Sequence, residues 1–405
     1  QYMNYTTQQL KDVILNIDIC SSYANRIHRL QEYLALSGLD VAICMQPQNV
    51  VYLSGFNPIL FSHPIAVIVP RNDPPILLTH CLRGNHARHE SVIRDLQLYG
   101  MWGREIPIAD DFYSALQAIF RKRGLRCRHI GYEGEFLPVS TYRKMVDALD
   151  TAECINISPD LIRARMIKDP YECALIRLAA RVGEVGIAAA QKHLLESEAN
   201  SSIAAEIAMR KFWAEELSCF EVCGSGNADG GIISTLWCYC NNGEKTAFGC
   251  ESPGPAVPQP GTVSLPSVWA CIRGYYAEME RTECIGALPP YYARAYETVS
   301  QARRIALESA KAGVVIGDLY RKATQVYIEN GFEDLLPGRI GHGLGLSIHE
   351  QPSMEKDSPL VLQEGMVITI EPGLMFPGWG AIRHSDTVII HADGVEVLTH
   401  DLEEP

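Results

Sequence analysis

The spacing of apolar positions changes several times along the chain, and each change marks an element. Residues 24–37 carry Ile27, Leu30 and Leu34 on one face of a 3.6-residue repeat, with Gly38 as its stop, so the spacing predicts an amphipathic helix. Short apolar runs follow at 41–45, 66–69 and 76–79, separated by Pro, Gly and Asn. They predict strands of an α/β unit. A long helix begins after Asp169-Pro170, with Pro near its first turn and Leu175, Leu178, Val182 and Val185 as its buried stripe. The natural domain cut lies near residue 160, giving 1–160 and 161–405.

Beyond that cut, helical repeats cover 202–217, 291–311 and 316–330, and strand runs cover 262–268, 275–284, 366–371 and 381–390. Asp393-Gly394 is a hairpin-turn signal. Paired helices alternating with antiparallel strands make this half α+β. The segment 230–260, rich in Gly, Pro and Cys, reads as an insertion loop.

Composition narrows the function classes. An apolar share of 47% and a charged share of 20% describe an ordinary globular chain. A net charge of −13 argues against a nucleic-acid or anionic-membrane surface and favours cationic ligands. The start, QYMNYTTQQL, lacks a signal-peptide apolar core, and no run approaches the ~18 apolar residues of a membrane span. Thirteen cysteines, an odd count without paired spacing, fit a reducing cytosol, so the expected location is cytoplasmic. The densest group (Cys219, Cys223, Cys238, Cys240 and Cys250) lacks the C-x2-C spacing of a zinc knuckle.

The chemistry concentrates in four segments: GYYAEMERT (274–282), GHGLGLSIHEQP (341–352), ITIEPG (368–373) and AIRHSD (381–386). Residues two apart on a strand share a face. Glu278 and Glu280 therefore point together, as do Thr369 and Glu371, and Arg383 and Ser385. Three carboxylates in a buried site need compensation, and Arg383, a protonated His342 or a cationic ligand can supply it. Tyr276 shares the face of Glu278, and alternation turns His384 away. Gly341, Gly343 and Gly345 lack the Lys-Ser/Thr ending of a phosphate loop and predict close backbone approach.

In order and spacing these segments resemble the family of creatinase, prolidase, aminopeptidase P and methionine aminopeptidase. The resemblance implies a pita-bread catalytic domain behind a smaller α/β domain, and covers about residues 20–400. Most members hold two metal ions with two Asp, one His and two Glu. On that pattern the five positions fall on Ser267, Glu278, His342, Glu371 and Ser385. Two of them are serine, a poor ligand for a hard divalent cation, so the expectation is a site without metal or other cofactor.

The resemblance is greatest to metal-free creatinase and ectoine hydrolase. Creatinase carries an E-R-T where this chain has Glu280-Arg281-Thr282, and Glu280, His342 and Glu371 match its substrate-gripping acids and histidine. Its Phe and Arg from the partner subunit correspond to Phe61 and His63, which implies a homodimer that completes each site. The catalytic His that many members place about eight residues after a Ser-Gly element would fall on Ile233, counted from Ser225, so the usual base is absent. Glu278 or His349 remain as bases, and Ser267 as a nucleophile or a small residue leaving space for a ligand. Tyr276 and Arg383 complete the expected substrate contacts.

The leading expectation is a metal-independent hydrolase of a non-peptide C–N bond in a small cationic or zwitterionic amidine or guanidino compound. The alternatives are a metal-dependent Xaa-Pro peptidase, an inactive binding homologue, and a lyase on a small onium compound.

Overall fold

A computed structural model describes residues 5–59, 61–126, 128–150, 153–224, 236–249 and 251–401. Two compact units emerge. One spans 18–164, and the other joins 5–17 to 165–224 and 236–401. The division thus falls inside the helix Ser158–Met166, and the helix Thr7–Asn16 packs on Pro170–Lys192 in the second unit.

In the first unit, strands β1 (Val41–Cys44), β2 (Ala66–Pro70), β3 (Ile76–His80), β4 (Asp95–Tyr99), β5 (His129–Tyr132) and β6 (Glu153–Asn156) form a mixed sheet of order β4-β3-β2-β1-β5-β6. Ile43, Ile68, Leu78 and Ile130 send their side chains into a core shared with the helices Phe112–Arg123 and Val139–Leu149. Phe61 is buried in this unit, and the His63 ring stacks on His80 at 4.2 Å.

The second unit is built on an antiparallel sheet. Its strands are β7 (Leu236–Asn242), β8 (Thr262–Ile272), β9 (Tyr275–Glu280), β10 (Glu283–Ile285), β11 (Arg339–Gly343), β12 (Glu350–Glu355), β13 (Val367–Ile370), β14 (Gly373–Phe376), β15 (Gly380–Arg383), β16 (Ser385–Ile390) and β17 (Val395–Val397). The main order is β10-β8-β9-β16-β13-β11-β12, with β7 on β8, β17 on β16, and β14-β15 as a separate hairpin. The helices Pro170–Lys192, Glu198–Glu216, Pro290–Ser309 and Ile316–Glu329 pack in pairs against it. This is the α+β pita-bread arrangement, and the N-terminal unit is α/β.

Local chemistry explains the boundaries. Asp169 caps the long helix by accepting from the Glu172 backbone N–H, and the Glu172 carboxylate accepts in turn from the Asp169 backbone N–H. Within that helix Leu175, Leu178 and Val182 are buried, but Val185 is only half-buried. Ser197 caps the next helix, so it starts before residue 202.

The segment 230–260 is not a simple loop. Its residues 236–242 form β7, with Leu236, Cys238 and Cys240 buried on one face. The run 275–284 divides at Arg281, whose backbone N–H turns to the Pro266 carbonyl. The run 381–390 divides at His384, where the chain passes from β15 to β16.

Candidate active site

Two cross-strand rows make the floor of the site. Trp237, Trp269 and Glu278 face one another across β7, β8 and β9. Tyr239, Ser267, Glu280 and Ser385 form the next row, across β7, β8, β9 and β16. Strand β11 delivers His342 beside them. Its flanking glycines are required there: a Cβ at Gly341, whose φ is +154°, would lie 2.0 Å from the Thr369 carbonyl oxygen, and one at Gly343 would lie 2.2 Å from that of Gln351. The His342 backbone N–H donates to Thr369 Oγ1 at 3.0 Å.

These elements enclose a cavity of about 710 Å³ lined by Glu278, Glu280, His342, His349, Glu371 and Arg383. Trp269, Arg339 and Glu355 line it as well, and Leu335, Leu336, Leu374, Met375 and Ile382 form an apolar wall.

Glu278, Glu280 and Glu371 each have an internal partner. Arg383 clasps Glu280 in a bidentate pair, with Nη2 to Oε1 at 2.7 Å and Nε to Oε2. Glu278 accepts from Ser385 Oγ at 2.6 Å and from Trp269 Nε1 at 2.9 Å. His342 Nε2 stands 3.5 Å from Glu278 and 3.4 Å from Glu371. Its Nδ1 meets the Gly343 carbonyl at 2.9 Å, so Nδ1 carries the proton and Nε2 faces the carboxylates.

The electrostatics follow from these contacts. Burial disfavours a charged His342, but Glu278 and Glu371 outweigh it and raise its pKa. Burial would likewise raise the Glu278 pKa, yet the His342 charge and the donated hydrogen bonds lower it. Glu371 is raised, first by burial and then by the Glu278 charge. The compensation that the sequence left open for a cationic ligand is therefore supplied by Arg383 and His342.

The other expected residues separate. His349 lines the cavity with its ring 4.3 Å from that of His342, and burial lowers its pKa. Glu350, beside it, is held by Arg165 at 3.2 Å and Lys168 at 3.3 Å. Ser267 is buried on the floor face but is not among the residues lining the cavity. Tyr276 is not a lining residue either, since its phenol packs against Cys271. His384 is half-buried against Tyr296, with its Nε2 atom buried and unpartnered. Phe61 and His63 belong to the other unit. The stretch containing Ser225, Ile233 and Ser234 lies outside the described residues.

Sequence reasoning passed over Trp269 and Arg339. Trp269 was detectable as the residue two beyond Ser267, on the same strand face. Arg339 lies three residues before His342 on the same strand.

The donor set bears directly on a metal. Oxygens of Glu278 and Glu371 and a nitrogen of His342 lie within 4.8 Å of one another. Serine at 267 and 385 does not suit two ions, but one imidazole and two carboxylates suit a single divalent ion. His342 also has the backbone-fixed tautomer that metal-ligating histidines show. Among the described residues no cysteine belongs to a metal-capable group, and the eleven cysteines described are free thiols.

A His-carboxylate pocket in a pita-bread domain defines the chain as a hydrolase-type protein of two domains. Residues 174–392 match the metallopeptidase family M24 and residues 26–167 the creatinase/prolidase N-terminal domain, so the chain belongs to family M24. The chain is 29% identical over 375 residues to "Putative dipeptidase YkvY" of Bacillus subtilis, covering 93% of this chain and 97% of that one. It is 25% identical to the Xaa-Pro dipeptidase of Pyrococcus horikoshii, over 92% and 96% of the two chains. A creatinase of Bacillus sp. is also 25% identical, over 92% and 89%. Among solved structures, the Xaa-Pro dipeptidase of Bacillus anthracis superposes with a TM-score of 0.79 at 22% identity, over 94% and 99% of the two chains, a likeness of fold. Among the described residues no helix is long and apolar enough to cross a membrane.

Proposed function

We propose that this chain hydrolyses the C–N bond of a small dipeptide-like substrate, with one divalent metal ion held by Glu278, His342 and Glu371. The observation that carries this reading is the convergence of those three donors within 4.8 Å inside a cavity with an apolar wall. Similarity to Xaa-Pro dipeptidases over most of the chain supports peptide-type substrates. A bound ion would supply Lewis-acid polarisation of the scissile carbonyl. The protein's own groups do the rest. The apolar wall seats the substrate side chains, Trp269 and Ser385 fix the Glu278 carboxylate, and His349, neutral at the cavity wall, would take a proton from the water that adds to the carbonyl and pass it to the amine as the C–N bond breaks.

A second reading, the metal-free hydrolase, is favoured by one observation: Arg383 and His342 already balance two of the three acids. Protein purified without chelator and assayed on a dipeptide panel separates the two. The first reading expects about one equivalent of transition metal per chain, turnover lost to chelator, and turnover restored by Mn²⁺ or Co²⁺. Turnover indifferent to chelator would establish the metal-free route instead.

A further inference from the structure

One buried charge cluster takes no part in the chemistry above. Arg165, Lys168 and Glu350 belong to the C-terminal unit, and their side chains are 8%, 1% and 4% exposed. Glu350 Oε1 faces Arg165 Nη2 at 3.2 Å and accepts from the Ser347 backbone N–H at 3.1 Å. Its Oε2 accepts from Lys168 Nζ at 3.3 Å. Burial alone would raise the Glu350 pKa, but the two cations outweigh it and hold it down. The acid is therefore ionised, and both cations address it.

The neighbours of this cluster in the chain suggest its use. Glu350 directly follows His349 and opens β12, where it pairs with Gly343. Little holds His349 itself. Among the described residues its ring makes no hydrogen bond and meets the His342 ring, with centroids 4.3 Å apart and planes tilted by 57°. Its place at the cavity wall is thus set by the backbone of 344–350. That backbone is braced at three points. The Gly345 N–H donates to the Ser347 carbonyl at 3.0 Å, and the Gly345 carbonyl accepts from the Tyr276 N–H of β9 at 2.8 Å. The third brace is the Ser347 N–H on Glu350, and it alone depends on charge. Through Glu350 it reaches Lys168, whose own backbone N–H donates to the Gly365 carbonyl at 2.9 Å.

We propose that Glu350, clamped by Arg165 and Lys168, is a positioning residue that holds the 344–350 loop and so sets His349 against the cavity. This rests on the reading of His349 as the group that moves the proton, but the attachment of the loop is measured without turnover. Buried ion pairs add little net stability over apolar side chains of the same volume. Placement of the loop is what these three charges supply in return for their desolvation.

The experiment compares the full-length parent with Lys168→Met, Lys168→Arg and Glu350→Gln by amide hydrogen exchange, and by turnover on a dipeptide panel with Mn²⁺. Lys168→Met leaves Arg165 opposite Glu350 and keeps the apolar stem, so it is the variant expected to fold. Its Ser347 amide should exchange about 10-fold faster than in the parent, the effect of losing one charge-assisted contact. Val388 and Ile389, paired with β13, should exchange as in the parent. A displaced His349 predicts a kcat about 10- to 100-fold lower. KM and Mn²⁺ affinity should be unchanged, since none of the three metal-capable donors lies on the loop. In a His349→Ala background Lys168→Met should lower kcat no further. Lys168→Arg keeps the charge and should behave as the parent, and Glu350→Gln, if it folds, should exceed Lys168→Met in both readouts. Unchanged Ser347 exchange in Lys168→Met overturns the proposal, and so does an equal loss of kcat with and without His349. A parent without turnover on any dipeptide would sink the hydrolase reading, and the clamp would then stand or fall on the Ser347 exchange alone.

Discussion

Replacing Arg383 by Met tests whether this site balances its own charge. The pair with Glu280 is bidentate, and the two side chains are 15% and 2% exposed. Removing the guanidinium leaves Glu280 in a cavity that also holds Glu278 and Glu371. Breaking a buried pair from one side costs about 3–5 kcal/mol. The neighbouring carboxylates put the expectation for Arg383→Met toward the upper end, because among the described residues Arg383 is the only cation hydrogen-bonded to the Glu280 carboxylate.

Glu280→Leu alone should also be costly, since it strands a buried cation. The double variant Arg383→Met/Glu280→Leu removes both charges and should recover at least about 2 kcal/mol of the summed single losses as coupling. The assay is urea unfolding followed by fluorescence. Four of the five tryptophans (Trp213, Trp237, Trp269 and Trp379) lie in the C-terminal unit, so the signal reports chiefly on it. If Arg383→Met costs under about 1 kcal/mol, or the two single effects simply add, the pair is not the compensation claimed here. Glu280 would then be available to a cationic ligand, as the sequence alone led us to expect.

Two further outcomes follow from other parts of the molecule. The His384 Nε2 atom is buried without a partner, and that burial together with Arg281 and Arg303 pushes its pKa down to about 4. It is therefore neutral in the fold but takes a proton in the unfolded chain below about pH 6.5. Its contribution is present above that pH and is lost as pH falls toward 4, by about 3 kcal/mol in all. His384→Asn should flatten the stability profile between pH 6.5 and 4, and a parent–variant difference that stays constant with pH would refute this. The homodimer implied by Phe61 and His63 remains a proposal. Sedimentation at micromolar concentration should give twice the 44.9 kDa chain mass, whereas a monomer with activity unchanged on dilution would count against it.

The legibility of this chain in sequence depended on which physical rule governed each element. Period-two alternation placed Glu278 and Glu280 on one face because β9 is a regular strand paired on both sides. The same rule held for Arg383 and Ser385 although the chain breaks between them: both reach the site, from separate strands. Composition failed for 230–260. Gly, Pro and Cys masked the alternation of Leu236, Cys238 and Cys240, which is what buries β7 against the helix Glu198–Glu216. Tyr276 shows the limit of parity: it alternates correctly with Glu278, but lies two residues up the strand, where the face is closed by Cys271. Arg339 was unreadable because its meaning depends on what other cations already do. Only the structure shows that Arg383 is committed to a bidentate pair with Glu280 while Arg339 makes a single long ion pair with Glu371.

The two serines change the charge arithmetic of the site more than its shape. In the row Tyr239–Ser267–Glu280–Ser385, cross-strand neighbours stand ~5 Å apart. Acids at both serine positions would put three carboxylates side by side in a buried sheet. Such a row requires two ions to hold it. With serine at both positions a single acid remains in the row, and one arginine neutralises it. Ser385 is then free to donate to Glu278, which binds the second row to the first. What is left for an exchangeable cation is the gap between Glu278 and Glu371, and His342 Nε2 already points into it. A proton on that nitrogen and a divalent ion compete for the same place, because a ligating imidazole must be deprotonated. On the proposed reading, one ion would be taken at the expense of that proton.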